Sequence, residues 1–160
     1  GIALQACFVF GLDDDTPEVF LDTAQFAVRC GIDLPRFAIV TPFPVTNLHR
    51  QLEAEGRILT RQWQWYDGQH AVFQPARMSV DKLQRGTQTA WKYAYSWGNI
   101  ARRLRHTPAS WQLALLTNAG YRFYANRLER FYTCDAMTPL LAGRSNRSRR
   151  SRTGVGSCAS

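Results

Sequence analysis

No two of the four cysteines, Cys7, Cys30, Cys134 and Cys158, stand within three residues of one another. That excludes the close ligand pairs of a zinc or iron–sulfur site. The front of the chain also lacks a basic, then apolar, leader, so a secreted disulfide framework is not expected either. The thiols read as ordinary free cysteines, with Cys7 and Cys30 buried. No apolar run approaches the roughly 20 residues that cross a bilayer, and the expectation is a cytoplasmic protein without a membrane span. Lysine is nearly absent, two residues against eighteen arginines. Acidic residues are missing altogether from 143–160, where Arg144, Arg147, Arg149, Arg150 and Arg152 supply five of the eight net positive charges. The remainder is an ordinary globular charge, so the basicity belongs to the tail. That tail, rich in Ser, Arg and Gly, reads as a disordered end rather than a nucleic-acid surface.

What is present is enough for a packed domain, with 45% hydrophobic and 12% aromatic residues in 160. Residues 1–12, GIALQACFVFGL, are apolar on both alternating faces, as in a covered parallel strand. A central strand of that kind needs neighbours on both edges, so the chain reads as part of a larger α/β protein. Thr16, Pro17 and Glu18 signal a helix start, with Val19, Phe20, Thr23, Phe26, Ala27 and Cys30 on its apolar face and Gly31 at its end. A second strand over 36–40 completes a βαβ unit. Thr46 caps a short helix that stops at Gly56. Residues 57–75 form an aromatic loop, and Ser79 opens one long helix with a stripe at Leu83, Thr87, Ala90, Ala94, Trp97, Ala101 and Leu104. A further helix after Pro108, carrying Trp111, Leu115, Ala119 and Phe123, is its expected partner.

Two turns carry a family signal. The first is Phe8-Val9-Phe10-Gly11-Leu12-Asp13-Asp14-Asp15-Thr16, followed by Pro17-Glu18-Val19-Phe20; the second is Thr41-Pro42-Phe43-Pro44-Val45-Thr46, with Leu48 and Glu55-Gly56-Arg57-Ile58 after it. Together they resemble the last two strand–loop units of a radical S-adenosylmethionine enzyme barrel. Trp63, Tyr66-Asp67-Gly68, His70, Val72-Phe73, Pro75, Met78, Leu83 and Tyr95-Ser96-Trp97 resemble the branch with a cobalamin-binding domain and a helical C-terminal extension. The resemblance implies an α/β fold, the last βα units of a partial (β/α) barrel followed by a mostly helical extension. Residues 1–58 would belong to the barrel, 59–142 to the aromatic loop and extension, and 143–160 to the tail.

By the same resemblance, the full-length parent would use a 4Fe-4S cluster to cleave S-adenosylmethionine and start methylation or oxidative cyclisation. Cobalamin is a further implied cofactor, and a small-molecule substrate and an electron donor are the implied partners. The cluster's CxxxCxxC loop is not in this chain, so the segment alone is expected to be inactive and to hold no cofactor tightly. Carried over by position, Phe10, Gly11 and Asp13 after the first strand, and Val40, Thr41 and Pro42 after the second, would line the S-adenosylmethionine site. Tyr66 and His70 are candidate substrate contacts, weighed against a histidine that merely ties a loop. No catalytic residue and no metal ligand is assigned, and Asp13-Asp14-Asp15 reads as a helix-entry loop. The family pattern has Gly where Val45 stands; a positive φ there costs a β-branched residue about 1–3 kcal/mol. The alternative function is a stand-alone basic nucleic-acid-binding or non-catalytic interaction module.

Overall fold

The computed structural model describes residues 3–105, 107 and 110–128. Strand β1 (Gln5–Phe10), helix α1 (Val19–Arg29) and strand β2 (Leu34–Ile39) form the expected βαβ unit. The two strands pair in parallel, with Gln5 opposite Leu34 and Phe10 opposite Ile39. The fold is thus mixed α/β, with a two-stranded parallel sheet and helices. Phe37 stacks on both Phe8 and Phe10, and Phe10 meets Phe20 of α1 edge-on at 4.9 Å. Side chains alternate along a strand, so this face packs on α1 and the opposite face carries Cys7, Val9, Arg36 and Ala38.

That opposite face corrects the cysteine expectation. Cys7 and Cys30 are both exposed: Cys7 lies on the face that α1 does not cover, and Cys30 follows the last turn of α1. Phe26 is also exposed, because α1 buries Phe20, Ala24, Ala27 and Val28 instead.

The outer edge of β2 is closed by side chains and a loop. Tyr95 donates its hydroxyl to the Pro35 carbonyl and Trp91 its indole N–H to the Phe37 carbonyl, both at 2.9 Å. The Ile39 amide donates to the Gly68 carbonyl at 2.7 Å. Pro35 has no N–H to offer that edge, which suits its place there. Unpaired strand edges invite association, and these contacts blunt one of them.

Helix α2 (Asn47–Ala54) begins where Thr46 accepts a hydrogen bond from the His49 amide. A single 3-10 turn covers Trp63–Trp65, and Ile58 bridges antiparallel to Phe73. Helix α3 (Val80–Ala94) begins at Ser79, whose hydroxyl accepts from the Lys82 amide, and buries Leu83, Thr87, Ala90 and Ala94 as the stripe predicts.

The single long helix is not observed. The chain breaks at Tyr95-Ser96 and resumes as α4 (Trp97–Leu104). No Gly or Pro marks the break. Instead, side chains from elsewhere satisfy the carbonyls it frees: Asn99 donates to Tyr93, Arg103 to Ala94 and Arg122 to Tyr95. Helix α5 (Trp111–Ala125) is present, but its expected stripe is turned outward. Trp111, Leu115 and Phe123 are exposed, while Asn118 and Ala125 are buried and Tyr121 and Tyr124 pack their rings on Trp91. Residues 143–160, expected as a disordered tail, lie outside the described residues, as do Cys134, Cys158 and Pro108.

Val45 adopts φ +64° and is 84% exposed. It has almost no packing to lose, so Val45→Gly relieves left-handed strain at the expense of a more flexible unfolded chain. The expected net is a gain of about 1 kcal/mol, read as a higher urea midpoint at unchanged slope. An unchanged or lower midpoint would count against strain at this turn.

Candidate functional site

The ends of β1 and β2 meet: the Val40 amide donates to the Phe10 carbonyl at 2.8 Å. The two groups of strand-end residues predicted from the sequence are therefore neighbours. Their roles differ, however. Phe10 is a core ring, 1% exposed. Gly11, at φ +100°, is required twice over, by its backbone and by its surroundings, since an added Cβ would sit 3.2 Å from both Leu83 and Phe73. Its close approach is to the core. The amides of Gly11 and Leu12 are taken by the Asp15 carboxylate at 2.8 and 3.0 Å. Asp13 is engaged by Arg57 at 2.6 Å, and that guanidinium holds its carboxyl below the usual range. Arg57 also donates to Glu55 and to the Gln74 carbonyl, which fastens the β1 turn to the start and end of the aromatic loop.

The end of β2 is less committed. Thr41 donates its hydroxyl to the Ile39 carbonyl at 3.2 Å and keeps its lone pairs as acceptors. Val40 and Pro42 are buried. The loop at Gly68 closes over this end: a Cβ built on Gly68 would stand 3.9 Å from Ala38 Cβ and 4.0 Å from Thr41 Oγ1.

That loop is held by three polar devices. Asp67 accepts from the Gln69 and His70 amides, and His70 Nδ1 lies 2.9–3.0 Å from both of its carboxylate oxygens. Burial pushes the Asp67 carboxyl up, but the histidine and the two amides outweigh it and leave the group below its ordinary value. Gln84 of α3 then clamps the loop, accepting from the Ala71 amide and donating to the Gln69 carbonyl. Trp65 meets the His70 ring edge-on at 4.6 Å. Around them is a cavity of about 250 Å³ lined by Thr60, Trp65, His70, Ala71, Val72 and Gln84. Tyr66 points elsewhere: it is buried, donates its hydroxyl to the Thr60 carbonyl at 2.8 Å, and has its hydroxyl pKa pushed up by that burial.

Sequence reasoning named Tyr66 and His70 and missed Asp67, Gln84 and Arg57 as their organisers. Asp67, three residues before His70, had a local signal; Arg57 and Gln84 reach their partners only through the fold. Among the described residues, no group of three His, Cys, Asp or Glu side chains is arranged to hold a metal ion, and no helix is long and apolar enough to cross a membrane.

No family model matches the chain, and neither does any solved structure. It is similar to three named proteins. It is 31% identical over 110 residues to a bacteriochlorophyllide d C-12(1)-methyltransferase of Chlorobaculum tepidum, covering 69% of this chain and 24% of that one. It is 26% identical over 142 residues to the bacteriochlorophyllide d C-8(2)-methyltransferase of the same organism, covering 88% of this chain and 31% of that one. An uncharacterized methyltransferase of Pyrococcus horikoshii is 35% identical over 66 residues, 41% of this chain and 14% of its own. The chain thus spans about a quarter of the first of these relatives and just under a third of the second.

These names correct the family expectation. The relatives are methyltransferases, so the assignment to radical S-adenosylmethionine enzymes, with cluster-driven cleavage, a 4Fe-4S group and cobalamin, is not carried forward. Neither is the nucleic-acid-binding or interaction-module alternative. The physical reason lies in the motifs themselves. The Gly11 turn and the Tyr66-Asp67-Gly68 block encode backbone shape and loop ties, and such geometry does not specify how a bound cofactor reacts.

Proposed function

We propose that this chain is a portion of a longer S-adenosylmethionine-dependent methyltransferase acting on a ring-shaped small molecule of the bacteriochlorophyllide kind. Its two strands would belong to a larger parallel sheet, of which a closing barrel is one form. In this reading residues 1–58 contribute a wall of the methyl-donor site and residues 59–142 the loop and helical extension beside it, in a cytoplasmic enzyme. The observation that carries the proposal is the extent of the methyltransferase similarity. A match over 88% of the chain takes in β2, the aromatic loop and α3–α5 wherever its ends fall.

Within that wall the residues divide by what they have left to offer. Thr41, half-buried beside the Gly68 loop, offers one hydroxyl acceptor to the nucleoside part of the donor, while Val40 and Pro42, both buried, shape the floor beneath it. Phe10, Gly11 and Asp13 set the shape of the rim, since the Phe10 carbonyl is engaged by Val40, the Gly11 amide by Asp15 and the Asp13 carboxylate by Arg57. His70, fixed by Asp67, faces the cavity beside the loop and is the nearest candidate to contact substrate or relay a proton. S-adenosylmethionine, when bound, supplies the methyl group.

The test uses the full-length protein containing this chain, bacteriochlorophyllide d and S-adenosylmethionine labelled in its methyl group. Label is expected in the pigment, with Thr41→Val raising the KM for the donor several-fold at near-constant kcat. Absence of label in the pigment from an intact, folded protein would overturn the proposal.

A further inference from the structure

The face of the sheet opposite α1 leads to a cavity that the methyl-donor reading does not use. Its volume is about 480 Å³ and it is lined by Arg36, Thr117, Gly120, Tyr121 and Tyr124. It is a shallow, largely open groove, with a volume comparable to that of small-molecule sites. Arg36 alternates with Phe37 on β2, so it points away from the aromatic core and into this space. It is exposed and has no hydrogen-bond or ion-pair partner among the described residues. The cavity wall holds no carboxylate.

Tyr121 and Tyr124 face Arg36 with their rings steeply inclined to each other. Tyr121 stacks on Tyr95 at 5.4 Å with 22° between the rings, and on Trp91 at 6.1 Å with 17°. Tyr124 meets Trp91 edge-on at 5.3 Å. Gly120 sits inside α5, where glycine weakens a helix by roughly 1 kcal/mol relative to alanine. Nothing lies within 4 Å of where its Cβ would be. The wall is thus open at this point, with room for a larger side chain.

We propose that this cavity binds a flat, carboxylate-bearing ring system of the tetrapyrrole class, with Arg36 as the carboxylate anchor, Tyr121 as the stacking ring and Tyr124 bounding the site beside it. The cation accounts for a carboxylate, which it can hold through two parallel N–H donors. The tyrosine surface accounts for a planar ring. This deepens the methyltransferase reading by giving its substrate a site, and it rests on that reading for the class of ring.

The probe is pheophorbide a, a chlorin with one free carboxyl, and its methyl ester, titrated against the full-length protein containing this chain by absorbance and fluorescence. The free acid is expected to bind at least 10-fold more tightly than the ester. Arg36→Gln should remove that preference by weakening the acid alone, and Arg36→Lys should restore part of it. Gly120→Val, which pushes a branched side chain into the groove, should weaken both. The Arg36 side chain is exposed and has no hydrogen-bond or ion-pair partner among the described residues, so its substitution is expected to leave the fold intact, as circular dichroism will check. If acid and ester bind alike to the unaltered chain, adsorption to exposed apolar surface explains the result and the proposal falls. It falls equally if neither binds, or if Arg36→Gln keeps the preference. Methyl transfer by the full-length protein in any of those cases would leave the methyltransferase reading standing and remove only this site.

Discussion

Replacing Gly86 with alanine is expected to destabilise the protein by about 3 kcal/mol, although alanine is the better helix former by roughly 1 kcal/mol. Gly86 lies in α3 where the helix crosses α1, and a Cβ built on it would fall within the ring of Phe20. That ring cannot simply swing aside. Phe20 is 4% exposed and packs edge-on against Phe10, which stacks in turn on Phe37. The added methyl must therefore push α1 and α3 apart or drive Phe20 off its rotamer, and both outcomes reach the sheet. Urea unfolding of the 160-residue chain should show a lower midpoint at an unchanged slope. Phe20→Leu has its own cavity penalty but removes the clashing ring carbons, so the double variant should lose much less than the sum of the two single losses. Gly86→Ala as stable as the parent chain would mean that the helices have room to separate, and the close crossing would lose its importance.

Legibility in the sequence followed the range of the interactions. The caps at Thr46 and Ser79 could be read directly, because a hydroxyl that accepts from an amide three residues on is a local event. The βαβ unit was equally legible from two apolar strands around an amphipathic helix. The start of α1 was less so: Thr16 accepts a turn from the Val19 amide, but the helix itself begins at Val19. The break at Tyr95 was invisible because its three donors, Asn99, Arg103 and Arg122, arrive from later in the chain. The burial face of α5 was misread for a related reason. Its apolar residues surround the whole helix, so periodicity could not choose a face, and aromatic stacking on Trp91 and Tyr95 did.

The candidate site shows the same division. Proximity of the two strand ends followed from the parallel pairing, and Gly31, placed at the end of the first helix, does take a positive φ. Which carboxylate does what was not legible. Asp13, Asp14 and Asp15 are equivalent on paper. In the fold Asp15 turns back to the Gly11 and Leu12 amides, whereas Asp13 reaches across to Arg57, 44 residues away. Arg36 likewise looked like one arginine among eighteen until the register of β2 set it on the uncovered face beside α5.

Arg103→Met is expected to be more damaging still, by about 3–5 kcal/mol. Arg103 is 1% exposed. Its guanidinium donates to the carbonyls of Ile32 at 3.1 Å, Asp33 at 2.7 Å and Ala94 at 2.9 Å, and lies 4.9 Å from the centre of the Tyr95 ring. Burial holds its pKa below that of an ordinary guanidinium, so the buried charge is itself a penalty. A well-packed apolar residue can match or exceed a buried ion pair when both partners are replaced. Here the partners are main-chain carbonyls that no substitution removes, and methionine would take the side-chain donor from those of Ile32 and Ala94 and leave Asp33 with only the longer bond from Asn118. Those carbonyls belong to the turn that launches β2 and to the end of α3, so the loss falls on the junction that fixes the strand against the helix. Arg103→Lys keeps the charge but not the planar fork, and should recover only part of the stability. Urea midpoints and amide exchange along β2 would measure both variants. A methionine variant as stable as the parent, with β2 amides equally protected, would show that the buried charge outweighs the three hydrogen bonds.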